Sequence, residues 1–222
     1  MRFGMAAIAM ALAVPATAQP GDIVTAERPP LPIRIGEKSI DALQAMLASG
    51  ELTSERLTEA YLERVRMLDR AGPKLRSVIA LNPQAMEQAR KADRDRRLRI
   101  ARGPLFGIPV LIKDNIDTVE NATTAGSLAF KDNFTKRDAP LVARLRAAGA
   151  IILGKTNLSE WANIRDTHSM SGWSAVGGLV RNPYALDRSA CGSSSGTGAA
   201  IAASLAAVGV GTETDGSIIC PS

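Results

Sequence analysis

Histidine is nearly missing from this chain, and that removes several chemistries at once. The 222 residues include one, His168, so a multi-histidine zinc site cannot be built from them. A Ser-His-Asp triad would need that same residue, and a lone histidine in a polar loop reads as surface. Aromatic residues are only 4% of the chain, so alanine and glycine are expected to do much of the packing. The net charge is +5, with the positive residues concentrated at 90–102, "RKADRDRRLRIAR". Acids interrupt that run and no aromatic residue does. Base stacking therefore has no platform there, and a solvated helix face is expected rather than a nucleic-acid patch. Two cysteines, Cys191 and Cys220, are too few for a disulfide scaffold. Both are expected as free, buried thiols, with one disulfide as the alternative.

No hydrophobic run is long enough for a stable membrane anchor. The N-terminal one, from Met5 to Val14, falls well short of a bilayer span. Arg2 precedes it, and Ala16-Thr17-Ala18 follows before Gln19. A charged head, a short apolar core and small residues at a cleavage point make a secretory signal peptide. Residues 1–18 are therefore expected to be removed after Ala18, leaving a periplasmic or secreted protein. Residues 19–38 are Pro-rich and aperiodic, an N-terminal arm. The remaining stretch, 39–222, belongs to a chain that is 45% hydrophobic, enough for one domain with a core.

Within that stretch, Ser39 is placed to cap a helix that Gly50 ends, and Thr53 to cap a second. Leu57, Ala60, Tyr61, Val65 and Leu68 recur on one face of the latter at helical spacing. Residues 77–82 read as a strand, and Asn82-Pro83 opens a charged helix to about Arg97. "PVLIK" (109–113) and "IILGKT" (151–156) read as buried strands around an amphipathic helix at 139–150. A short helix is expected from Asn157 to about Asn163, then an irregular stretch to Cys191. An alanine-rich helix after Ser195 and the strand "AVGVGTE" follow. Alternating strands and helices imply an α/β fold with a mixed, largely parallel sheet covered by helices. The sequence stops five residues after Ser217, so the front part of a longer domain is expected.

The most unusual segment is "SACGSSSGTGAAIAAS" (189–204). A phosphate loop would need a lysine after its glycines, and none is present. A dinucleotide fingerprint would need its glycines directly after a strand, and "RNPYALDRSACG" is not one. A second small-residue turn, "GTETDGSIICPS", would set Ser217 beside successive backbone N–H groups, as a nucleophile sits beside an oxyanion hole. Serine needs a base. With histidine set aside, a neutral lysine is the next candidate, and Lys113 closes an apolar strand whose burial would lower its pKa. Taken alone, Lys113 reads equally well as a surface lysine at a strand end.

"GIPVLIKDNIDT", "ACGSSSGTGAA" and "VGVGTETDGSIICP" together, in that order, resemble the amidase signature family. "GKTNLSEWAN" and "SGWSAVGG" are similar to its peptide amidase branch. The resemblance covers roughly residues 40–222 and implies a Ser–Ser–Lys triad. Lys113 would be the base, Ser193 the middle serine and Ser217 the nucleophile, with a cis peptide bond between Gly192 and Ser193. The backbone N–H groups of Thr214, Asp215, Gly216 and Ser217 would form the oxyanion hole, and Ser171, Gly172 and Trp173 would contact substrate. The implied reaction is hydrolysis of a carboxamide, with C-terminal amides of peptides as substrates and no metal or organic cofactor. Cys191, Ser195, Glu213, Asp215 and Ile219 depart from the family's common pattern, and Ile219 replaces an arginine typical of the tRNA amidotransferase subunit. Two alternatives remain: a relative acting on aliphatic, aryl or fatty-acid amides, and an inactive truncated binding module. Ammonia release separates the hydrolases from the module.

Overall fold

The computed structural model describes residues 35–100 and 103–222. The expected signal peptide and most of the Pro-rich arm lie outside the described residues. Where the arm ends, Ile35 is buried and the Glu37 N–H donates to Ser204 Oγ.

Helix α1 (Ile40–Ser49) starts where Ser39 accepts the Ala42 N–H, and stops at Gly50, whose φ of 78° is left-handed. Glycine adopts that conformation without a Cβ penalty. Thr53 caps α2 (Ser54–Arg64) by accepting the Arg56 N–H, a contact worth about 1 kcal/mol. Leu57, Ala60, Tyr61 and Val65 are buried along one face. The helix continues as a π-helical turn, Val65–Arg70, whose buried Asp69 carboxylate accepts from both the N–H and the hydroxyl of Ser77. Burial pushes the Asp69 carboxyl up from its ordinary value, against those hydrogen bonds.

The remaining helices are α3 (Ala85–Arg97), α4 (Pro140–Ala147) and α5 (Ser195–Ala202). The strands are β1 (Val78–Leu81), β2 (Pro109–Lys113), β3 (Ile151–Thr156), a short hairpin of β4 (Trp173–Ser174) and β5 (Gly178–Leu179), and β6 (Val208–Val210). Four of these make one sheet in the order β1-β3-β2-β6. Strand β2 pairs in parallel with both β3 and β6, while β1 runs antiparallel to β3. The sheet is thus mixed and largely parallel, with its one antiparallel strand at an edge, where such strands are common. Strand β1 approaches β3 closely because residue 154 is glycine; a Cβ there would lie 2.4 Å from the Ala80 carbonyl oxygen.

Side chains alternate across a strand, so β2 divides its residues between two layers. Val110 and Ile112 pack with Ile116, Val142, Ala150 and Ile152 beneath α4. Lys113 lies on the other face with its register partner Thr156, whose hydroxyl meets that of Thr197 on α5 at 2.6 Å.

Two expected elements differ. The helix expected from Asn157 is only a 3-10 turn, Glu160–Asn163, in which Trp161 and Ala162 are left-handed with φ of 52° and 53°. The preceding backbone is committed elsewhere: Asn157 N–H donates to Ser77, Ser159 N–H to Ser193, and the Asn157 carbonyl accepts from Gly196. The stretch expected to be irregular contains the β4–β5 hairpin. Two-residue strands are too short to show an alternating pattern.

Candidate active site

Lys113 ends β2 at the carboxyl edge of the sheet, where loops gather over strand ends. Its side chain is fully buried, at 0% exposure. Nζ donates to Ser193 Oγ at 2.7 Å, to Thr212 Oγ1 at 2.8 Å and to the Thr212 carbonyl at 3.3 Å. Ser193 Oγ in turn donates to Ser217 Oγ at 2.6 Å. The three residues singled out in sequence therefore form one unbroken line of hydrogen bonds. Hydroxyl and amine hydrogens rotate, so these atoms can pass a proton in either direction.

The loop before α5 and the turn after β6 are tied directly. Ser194 N–H donates to the Ser217 carbonyl at 3.0 Å, and Ser194 Oγ bonds both the carbonyl and the N–H of Thr212. Glu213 shapes the turn from its other side, its carboxylate accepting the N–H groups of Gly216, Ile218 and Ile219. Those backbone hydrogen bonds hold the Glu213 carboxyl below its ordinary value. Gly216 N–H, one of the four expected oxyanion donors, is thus turned toward Glu213.

Burial lowers the pKa of Lys113 to about 8, and the Glu213 carboxylate acts weakly in the opposite direction. A second buried lysine shows what Lys113 lacks. Lys155 Nζ lies 2.9 Å from Asp114 Oδ1, with side chains 0% and 1% exposed. Asp114 also accepts from the Thr124 hydroxyl. Lys155 has a carboxylate partner within salt-bridge distance, whereas the hydrogen bonds of Lys113 go to hydroxyls and a carbonyl. "IILGKT" carries a signal similar to that of "PVLIK", an apolar strand with a lysine at or next to its last residue, and that pattern could have found Lys155. Thr212 and Asn115 were also missed. Asn115 Nδ2 donates to the same Thr212 hydroxyl at 3.0 Å, and no motif logic links those positions.

Two expectations are corrected. Cys191 and Cys220 are joined in a disulfide with Cα atoms 5.6 Å apart, within the bridging range, because the two serine-bearing loops lie against each other. No cis peptide bond occurs among the described residues. The sharp turn into α5 is made instead by Cys191 and Gly192, left-handed with φ of 57° and 52°.

His168 is exposed and meets Thr167. Ser171 accepts from Asn163, and Gly172 N–H donates at 2.7 Å to Ser159 Oγ, which itself donates to the Gly192 carbonyl. Trp173 opens β4 and is half-buried. A cavity of about 330 Å³, lined by Asn115, Thr123, Ala125, Phe130, Trp161 and Ile164 among others, opens beside the relay at Asn115. Among the described residues, no group of three or more His, Cys, Asp or Glu could hold a metal. No described helix is long and apolar enough to cross a membrane.

The family model for amidases matches residues 56–222, the stretch that carries this lysine, both serines and the turn. The chain belongs to the amidase family. It is 58% identical to the native peptide amidase of Stenotrophomonas maltophilia, with a TM-score of 0.83 over 86% of this chain and 39% of that one. A peptide amidase in complex with the competitive inhibitor chymostatin is 59% identical, with a TM-score of 0.82 over 83% and 38% of the two chains. A probable amidase of Arabidopsis thaliana is 46% identical over 84% of this chain and 36% of its own. The chain thus spans well under half the length of these relatives.

Proposed function

We propose that the protein hydrolyses carboxamides by a Lys113–Ser193–Ser217 relay, with C-terminal amides of peptides as substrates. The observation that carries this reading is the hydrogen-bonded line from Lys113 Nζ through Ser193 Oγ to Ser217 Oγ. A lysine with its pKa brought to about 8 by burial is neutral in a useful fraction near neutral pH, as a general base must be. Ser217 Oγ attacks the carboxamide carbon while its proton passes to Ser193 and the Ser193 proton to Lys113. The N–H groups of Thr214, Asp215 and Ser217 receive the oxyanion. The relay then returns a proton to the leaving nitrogen, ammonia departs, and water cleaves the acyl-enzyme by the same path to give a carboxylate.

The likeness to peptide amidases supports the substrate class. The cavity beside Asn115 has apolar walls from Phe130, Trp161 and Ile164, which suit a peptide side chain, and Ser171, Gly172 and Trp173 are proposed to complete the contacts. Export to the periplasm or the medium is supported by the N-terminal sequence pattern and by the disulfide, since such bonds persist in oxidising compartments. The test is ammonia release from an amidated dipeptide by the full-length protein, together with fluorophosphonate labelling. Ser217→Ala should lower kcat by at least about a thousandfold and abolish labelling. Undiminished turnover, or labelling at another residue, refutes the assignment.

A further inference from the structure

We infer that the Cys191–Cys220 disulfide is a positioning pair for the relay, holding the Ser217 turn against the Ser193 loop so that turnover depends on the bond being oxidised. This inference rests on the amide-hydrolysis reading. Cys191 lies two residues before Ser193 and Cys220 three after Ser217, and the bridge joins positions 29 apart in sequence. It therefore spans the same junction that the Ser193–Ser217 hydrogen bond spans.

Two observations show that this junction is closely constrained. Cys191 holds a left-handed φ of 57°, which residues with a side chain adopt only when their surroundings impose it. The loops also meet with little slack: a Cβ on Gly192 would lie 2.5 Å from Pro221 and 3.0 Å from the Gly216 carbonyl oxygen. A hydrogen bond of 2.6 Å between two hydroxyls weakens quickly when its partners separate, and proton relays tolerate small misplacements poorly. A covalent tie beside both serines limits that separation.

Reduction by a dithiol such as dithiothreitol is balanced. The dithiol gives up two protons and two electrons and closes into its own cyclic disulfide, leaving Cys191 and Cys220 as thiols. The experiment compares oxidised and reduced full-length protein on an amidated dipeptide, with free thiols counted and near-UV circular dichroism recorded. After reduction, kcat should fall at least about tenfold while KM changes by less than about twofold, with the near-UV spectrum kept and activity restored on reoxidation. Cys191→Ser with Cys220→Ser should show the same low kcat and no response to dithiothreitol; if that variant does not fold, the wild-type comparison decides alone. An unchanged kcat with both thiols exposed overturns the inference, as does an activity loss that follows the near-UV signal, which would assign the bond to global stability. If the oxidised protein neither releases ammonia nor takes a fluorophosphonate at Ser217, amide hydrolysis itself fails and the inference falls with it.

Discussion

Replacing Lys113 with methionine should change how stability depends on pH, in a direction set by burial. In the folded chain the Lys113 pKa is about 8, against 10.5 for the free side chain. Below pH 8 both folded and unfolded chains hold the proton, and the lysine contributes no slope. Between pH 8 and 10.5 the unfolded chain binds a proton that the native one has released, so wild-type stability rises with pH. Above 10.5 both are neutral and the slope vanishes. At 1.36 kcal/mol per unit, full burial would give a total of about 3 kcal/mol; screening by the half-open Ser217 side of the relay reduces this to about 2 kcal/mol. The hydrogen bonds that methionine cannot make to Ser193 and Thr212 also cost stability, but by an amount that barely varies with pH. The informative quantity is therefore the difference between wild type and Lys113→Met, measured by urea unfolding from pH 7 to 9.5. Wild type should gain on the variant by more than about 1 kcal/mol over that range. A difference that stays constant with pH would refute the account of Lys113 as a lysine whose charge burial disfavours.

Activity should rise with pH through an apparent pKa near 8, as Lys113 becomes neutral; a flat pH–rate profile counts against it as the base. Lys113→Arg should not restore turnover, because arginine stays protonated in proteins, and near-normal kcat would show that position 113 supplies only charge. Ser193→Ala should lower kcat more than it raises KM, by less than Ser217→Ala does, since a water can bridge Lys113 and Ser217; steady-state kinetics decide this. Gly196→Ala should destabilise by about 1–3 kcal/mol, because a Cβ there would lie 2.3 Å from the Asn157 carbonyl oxygen and 2.5 Å from that of Ser77. A melting temperature unchanged from wild type would mean that α5 can shift on the strand ends.

Much of this site was legible because its parts are short and strongly patterned. An apolar pentapeptide closed by lysine reads as a buried strand with its charge at one end, and Ser39, Gly50 and Thr53 mark helix limits by local chemistry. The 24-residue interval from Ser193 to Ser217 leaves room for one helix and one strand, which return the chain to the edge where it began. What escaped depends on distant segments meeting. The pairing of Cys191 with Cys220 follows from two loops packing together, which neither loop encodes alone. The left-handed Trp161 and Ala162 follow from backbone bonds of Asn157 and Ser159 to partners elsewhere in the chain. The antiparallel direction of β1 reflects its place beside β3, a neighbour some seventy residues later in sequence.

The pleat of β2 has a further consequence for Lys113. Asp114 follows Lys113 directly, yet its carboxylate reaches Lys155, the register partner of Ile112, on the opposite side of the sheet. Neighbours along the chain are thus electrically separated by the sheet itself. If β2 slid by one residue against β3, every side chain would change sides. The carboxylate would then face the serines, and Lys113 would be delivered among apolar residues next to another cation. Under the proposed relay, faithful strand pairing is a requirement of the chemistry as well as of the fold: it keeps the neighbouring acid turned away from an amine whose charge burial disfavours.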